Sequence, residues 1–199
     1  MNQQNTMSLE ALNSLSRIDA EQWFSQCCAA PKWFNGMSQA IPFDDFDTVM
    51  QTAKDIWQQC STPDFLSAFE AHPMIGDVNS LREKYAATRK MASNEQQGAG
   101  DADDKTLHDL ASFNRDYLNK HGFIFIICAS GLSAKTMLDV LTLRLKNDTT
   151  TEIQLAAAEQ IKITFLRLQN KLEKQSEKNL EKNLEKSLEN SLEKGIQTS

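Results

Sequence analysis

The chain has 199 residues, a net charge of −6 and a mean hydropathy of −0.49. This acidic balance leaves no overall basic field for nucleic acid or an anionic membrane surface. The longest apolar run, Phe123 to Ala129, falls far short of the roughly 20 residues that span a bilayer.

The opening stretch Met1 to Thr6 has neither the basic nor the apolar region of a signal peptide, and the final Gln197-Thr198-Ser199 is not a peroxisomal address, so a cytoplasmic protein is expected. Ser8 is placed to cap a short helix carrying Leu9, Leu12 and Leu15. Phe46, Val49, Met50, Ala53 and Trp57 recur at helical spacing behind Pro42, Asp44 and Asp45. Thr62-Pro63-Asp64 reads as an N-cap, a first-turn proline and an acid that favours the dipole. The helix it opens, with Phe65, Leu66 and Phe69, leads directly to His72. Leu107, Leu110, Ala111, Phe113, Tyr117 and Leu118 trace another apolar face that ends near His121-Gly122. Ser133 starts a helix through Met137, Leu138, Leu141 and Leu145. Thr149 with Glu152 has the pattern of a capping box, followed by Ile161, Phe165, Leu168 and Leu172.

Two stretches break the helical pattern. Phe123-Ile124-Phe125-Ile126-Ile127-Cys128-Ala129 is β-branched and aromatic with no helical period, and reads as a buried extended segment or as a buried turn or linker. A lone extended segment has no ladder partner, so its backbone groups must bond elsewhere, a polar ligand being one recipient. From about Leu172 the sequence becomes Leu-Glu-Lys-Asn/Ser repeats with Leu180, Leu184, Leu188 and Leu192 four residues apart. Four residues advance about 400° around a helix, so the stripe drifts roughly 40° per repeat, away from the mean near 3.5 that a stable coiled coil needs. A frayed helical or disordered extension is expected there, the alternative being a partner-binding zipper.

Four cysteines, Cys27, Cys28, Cys60 and Cys128, include no Cys-x-x-Cys and read as small core residues. Three histidines, His72, His108 and His121, lack the i, i+4 spacing that puts two imidazoles on one helical face, so no metal site is expected. Chemistry concentrates in three places. The first is Ala71-His72-Pro73-Met74-Ile75-Gly76-Asp77, where the proline ends the helix and leaves His72 at its C-terminus. The negative dipole end there favours an imidazolium, as a proton donor needs; the alternative is a histidine that only caps the last carbonyls. The second is Ala92-Ser93-Asn94-Glu95-Gln96-Gln97-Gly98, a carboxylate beside an amide, fit either to read a ring's hydroxyl and N–H groups or to end a solvated helix. The third is the apolar run followed by Ser130-Gly131-Leu132-Ser133.

Taken in order, His-Pro-x-Ile-Gly-Asp, Glu-Gln-x-Gly-Ala-Gly and Phe-Ile-Phe-Ile-Ile-Cys-Ala-x-Gly-x-Ser-Ala resemble the OHCU decarboxylase family, in wording nearest its bacterial branch. OHCU is 2-oxo-4-hydroxy-4-carboxy-5-ureidoimidazoline. The likeness continues through Arg144 to Asn147 and Glu159 to Leu168, and upstream at Leu12-Asn13, Pro31-Lys32-Trp33, Pro42-Phe43 and Ala68-Phe69-Glu70. It implies an all-α, single multi-helix domain over residues 8–172, between a disordered segment 1–7 and the repeat tail 173–199. It also implies a homodimer that needs no cofactor or metal and converts OHCU to (S)-allantoin in urate breakdown. The implied catalytic residues are His72 and Glu95. The implied substrate contacts are Pro73, Ala92, Glu95, Gln96, the backbone of Phe125, Ile126, Ile127, Cys128 and Ala129, and Arg167. Departures fall at Ala92, where some relatives carry serine, and at Leu132, where a lysine or other polar residue is expected. The competing readings are an inactive family member serving as a helical dimerisation scaffold, and a hydrolase of related ureides, which would want a metal site.

Overall fold

The computed structural model describes residues 6–72 and 100–172, and among these residues every regular element is a helix. They are α1 Leu9–Asn13, α2 Arg17–Ser25, α3 Pro31–Gln39, α4 Phe46–Gln58, α5 Thr62–Glu70, α6 Gly100–His121, α7 Ala134–Arg144 and α8 Thr149–Lys171. Short polar residues set most of the starts. The hydroxyls of Ser8, Ser16 and Ser133 and the carboxylate of Asp45 each accept from the backbone N–H three residues on. α3 starts instead on Pro31, whose missing N–H is one that a helix leaves unpaired in any case.

Two starts differ from the sequence reading. The cap of α5 is Ser61 rather than Thr62, with the Ser61 N–H and hydroxyl both donating to Asp64 at 2.8 and 2.7 Å. α8 is capped by Asp148, which takes the Thr151 N–H at 2.9 Å, so Thr149 and Glu152 form no capping box. Glu152 is fully buried and accepts from Tyr117 Oη at 2.5 Å, Arg144 Nε at 2.8 Å and Asn147 Nδ2 at 2.7 Å. Three donors, one of them cationic, hold a carboxylate more strongly than a solvent-exposed cap would.

α8 is the spine of the fold. α4 and α5 pack on one part of it and α6 on another, while α2 packs on α3, α3 on α4, and α6 on α7. Its inward stripe is Ala156, Ala157, Gln160, Thr164 and Leu168, small enough near its middle for neighbours to approach closely. The indole N–H of Trp57 reaches the Ala157 carbonyl at 3.1 Å, and that of Trp33 the Ala53 carbonyl at 2.9 Å. Both bulky rings are thereby buried without an unpaired donor. Phe24 meets the rings of Trp33 and Phe43 edge-on at 6.0 and 6.3 Å. Truncating a fully buried ring such as Phe69 to alanine costs about 3–5 kcal/mol in a core of this kind. At the chain ends of this body, the Met7 N–H donates to the Lys171 carbonyl at 2.7 Å and Leu172 is buried. Met7 is therefore tied to the end of α8. Cys27 and Cys28 lie in the core as free thiols. None of the helices in the described residues is long and apolar enough to cross a membrane.

The run from Phe123 to Ala129 belongs to no helix and pairs with no strand among the described residues. Gly122, at φ 78°, turns the chain out of α6 in a backbone region that costs glycine little. Phe123, Phe125 and Ile126 are then buried, and Ile124, Ile127, Cys128 and Ala129 are half-buried. Side chains take the place of a neighbouring strand. Arg144 Nη1 donates to the Ile126 carbonyl at 2.8 Å, and the Cys128 N–H donates to Glu159 at 2.9 Å. The Arg144 guanidinium also lies over the Phe125 ring, 4.9 Å from its centroid.

Candidate functional site

α5 delivers His72 to the site. Its last turn closes with the His72 N–H on the Phe69 carbonyl at 3.1 Å, so the imidazole leaves from the residue just past the cap. His72 lies in a cavity of about 350 Å3 with Leu66, Phe69 and Glu70 of α5, Leu118 of α6, and Gly122, Phe123 and Ile124. From α8, the fully buried Gln160 places Oε1 2.7 Å from His72 Nε2. The Gln160 amide donates in turn to Thr164 Oγ1 at 3.3 Å, and the Thr164 hydroxyl donates to the Gln160 carbonyl at 3.0 Å.

The electrostatics differ from the sequence expectation. Burial holds the His72 imidazole below its ordinary pKa, the Gln160 hydrogen bond opposes that shift, and the Arg167 cation adds to it. Desolvation and the neighbouring cation favour the uncharged imidazole, opposite to the preference expected of a helix C-terminus. The shift favours the neutral ring, which offers a lone pair rather than a proton.

Arg167 shares α8 with Gln160, two turns further on. Its Nη1 donates to the Cys27 carbonyl at 3.0 Å, anchoring one edge of the guanidinium to the end of α2. Burial pushes the Cys27 thiol up to about 12 and the Cys28 thiol up to about 11, which leaves both as neutral, unreactive packing beside the arginine.

The extended segment divides by position. Phe125 is core, the Ile126 carbonyl belongs to Arg144, the Cys128 N–H belongs to Glu159, and the Ala129 carbonyl accepts the Leu132 N–H at 3.2 Å. The two side-chain clamps lie at alternate residues on the side of α7 and α8. Alternation along an extended backbone turns the Ile127 peptide groups the other way, where no bond to them is recorded among the described residues. The Ile127 and Cys128 side chains line a separate cleft of about 540 Å3 between α7 and α8, with Leu132, Val140, Leu155 and Lys162. Burial works against the Glu159 carboxylate, but Lys162 at 2.6 Å and the Cys128 N–H outweigh it and hold it below the usual carboxylate range.

Of the residues singled out in the sequence, His72 bonds Gln160 of α8, and Arg167 of the same helix is near enough to act on the His72 ring electrostatically. Pro73, Ala92, Glu95 and Gln96 lie outside the described residues. Gln160, Thr164, Arg144 and Glu159 were missed as site residues, although a polar side chain inside an apolar helical stripe was a usable signal. Among the described residues, no group of three or more His, Cys, Asp or Glu side chains is arranged to hold a metal ion.

Comparison with known proteins gives this arrangement a family. The chain is 37% identical over 152 residues to the uric acid degradation bifunctional protein TTL of Arabidopsis thaliana, covering 76% of this chain and 46% of that protein. It is 23% identical over 170 residues to the uric acid degradation bifunctional protein of Bacillus sp. (strain TB-90), covering 82% and 32%. The chain thus spans less than half the length of these curated relatives. Among solved structures it is similar to an OHCU decarboxylase crystallised in the presence of (S)-allantoin. That match has a TM-score of 0.59 and 36% identity, and covers 74% of this chain and 94% of the other. An (S)-allantoin synthase shares the fold at a TM-score of 0.61 and 17% identity, over 84% and 54% of the two chains. A family model for OHCU decarboxylase matches residues 13–169, and the chain belongs to that family.

Proposed function

We propose that this chain is a carboxy-lyase that converts OHCU to (S)-allantoin in urate breakdown, as a cytoplasmic homodimer and without metal or organic cofactor. The observation that carries the reading is the half-buried His72 held by Gln160 at 2.7 Å, with the Arg167 cation acting on its ring. Family membership over residues 13–169 supports it.

The chemistry needs what such a site offers. The substrate carbon that bears the carboxylate also bears a hydroxyl and adjoins a C=N bond. Breaking the bond to the carboxylate releases CO2 and sends its electron pair toward that C=N bond, so the ring is the electron sink. The ring nitrogen takes up a proton as it receives that pair, the hydroxyl proton leaves as the enol becomes a carbonyl, and a proton is added to the neighbouring carbon. Net, one proton replaces CO2.

His72 carries the acid/base work, taking the hydroxyl proton with its lone pair and returning one. Glu95 holds the hydroxyl and tunes the imidazole. Gln96 and the backbone between Phe125 and Ala129 hold the ureido and ring amides, and Arg167 holds a carbonyl oxygen. Pro73 and Ala92 shape the wall against the ring. Delivery of the proton to one face sets the S configuration.

The test is to generate OHCU freshly from urate and follow decay of its circular dichroism with purified protein, with and without a chelator. Faster decay with CO2 release in chelator is expected. A folded protein that leaves the spontaneous rate unchanged refutes the enzyme reading, and activity that needs a divalent ion refutes its cofactor-free form.

A further inference from the structure

The contacts behind His72 form a chain in which each donor is determined by the one before. Thr164 sits on the buried face of α8, and its hydroxyl has a single hydrogen. That hydrogen goes to the Gln160 carbonyl one turn back, at 3.0 Å, or to Cys28, which also bonds the Thr164 hydroxyl, and in neither case to the Gln160 side chain. Toward the Gln160 side chain, Thr164 Oγ1 can therefore only accept. At 3.3 Å it faces the amide nitrogen, which donates to it. The amide oxygen then faces His72 Nε2 at 2.7 Å and must receive a hydrogen from it. Turning the amide over would set Gln160 Oε1 against the Thr164 lone pairs. Gln160 and Thr164 are both 0 % exposed, so solvent cannot compensate the bond that would be lost.

We propose that Gln160, locked by Thr164, is a positioning residue that keeps the neutral His72 ring in its Nε2–H tautomer, so that Nδ1 is the atom exchanging protons with the substrate. The role rests on His72 being the acid/base of the reaction proposed above. A proton taken from the substrate hydroxyl arrives at Nδ1 and makes the imidazolium, with Nε2–H still bonded to Gln160. The proton returned leaves from Nδ1, and no ring rotation is needed between the two events. A ring free to change tautomer would present an N–H where the substrate offers its own hydrogen, and would be unproductive in that state.

Among the described residues two charged groups lie near the ring, and the proposed Glu95 would add a third from outside them. Arg167 approaches from α8 and disfavours the imidazolium, and Glu70 of α5 lies on the rim of the same cavity. The α6 side contributes Leu118 and the turn at Gly122. A change of charge at position 160 should therefore be read directly in the titration of His72.

The experiment uses the full chain labelled with 15N-histidine, in wild-type form and as Gln160→Leu, Gln160→Glu, Thr164→Val and Thr164→Ser. Long-range 1H–15N correlation spectra report the His72 tautomer, and steady-state kinetics with (S)-allantoin binding report its use. In the wild type, the Nε2–H form is expected. Gln160→Leu should mix the tautomers and lower kcat about tenfold with little change in (S)-allantoin affinity. Gln160→Glu keeps the acceptor, so it should restore the tautomer and move the acid limb of kcat/KM to higher pH. Thr164→Val should weaken the lock and Thr164→Ser should keep it.

An Nδ1–H ring in the wild type overturns the inference. So does a Gln160→Leu protein that keeps both tautomer and kcat and loses only melting temperature. Absence of wild-type turnover with the Nε2–H ring in place would overturn the decarboxylase reading and leave the tautomer assignment standing.

Discussion

Removing the Glu152 carboxylate tests the polar cluster that carries the extended segment. Glu152 is fully buried and, among the described residues, its only charged donor is Arg144, whose side chain is 8% exposed. Glu152→Ala leaves that guanidinium buried without its counter-charge and takes an acceptor from Tyr117 and Asn147. Breaking a buried pair from one side costs about 3–5 kcal/mol, most of it the uncompensated charge. A domain of this size loses roughly 2–4 °C per kcal/mol, so the melting temperature should fall by about 6–20 °C. Replacing both partners by apolar groups, as Arg144→Met with Glu152→Leu, removes the stranded charge and should recover much of the loss. The double variant still leaves the Ile126 carbonyl without its donor, a remaining cost of about 1–3 kcal/mol. Urea unfolding followed by circular dichroism measures both, with an unchanged slope required for comparison. A single variant less than about 1 kcal/mol below wild type, or a double variant no more stable than the single, would refute the reasoning.

Four further outcomes are expected. His72→Asn should lower kcat on the order of 10²-fold or more while weakening (S)-allantoin binding far less, whereas a purely capping histidine would lose stability and keep turnover. Because burial holds His72 below the ordinary value near 6.5, its neutral form should be the active one. kcat/KM should be level at pH 7–8 and fall only as the pH drops below about 6.5, and a rise on acidification would reverse the assignment. Stability should follow the same sign. His72 and His121 are both depressed by burial, so the unfolded chain binds more protons just below pH 6.5 and the stability present above that pH is lost as it falls. Ending the chain after Leu172 removes the repeat tail but keeps the Met7–Lys171 bond, and should leave melting temperature and turnover nearly unchanged. A large loss of either would assign the tail a structural part.

Helix starts were legible where the cap acts within its own turn. Ser8 and Ser133 accept from residues three positions on, a relation visible in any short window of sequence. The same local logic misread Thr149 and Glu152. A glutamate three residues after a threonine fits a capping box, but Asp148 stood one residue earlier and took the role. Glu152 was worth more to the fold inside. Its partner Tyr117 is 35 residues away, and no local pattern couples the two. Periodicity predicted individual helices, the family resemblance implied the all-α class, and the run from Phe123 to Ala129, which lacks a helical period, forms no helix.

The reason a strand-like sequence persists without a sheet explains the rest of what sequence could not supply. Phe123 to Ala129 was expected to need partners for its backbone, and two of them proved to be side chains on α7 and α8, 18 and 31 residues away. Each sits where a helical stripe would otherwise be apolar or solvent-facing. Arg144 is buried one turn beyond Leu141, and Glu159 adjoins the buried Gln160. Gln160 itself bonds across 88 residues to His72. These contacts follow from tertiary packing, and composition and period carry no record of them. What the sequence does carry is the anomaly: a charged or amide residue at an inward position of an otherwise apolar stripe. Such a residue is costly unless it is satisfied, and it persists only where a partner from elsewhere in the chain meets it. By that criterion Gln160, between Ala156 and Thr164, pointed to an unseen partner on the inward side of α8, and the partner is the histidine on which the proposed chemistry depends.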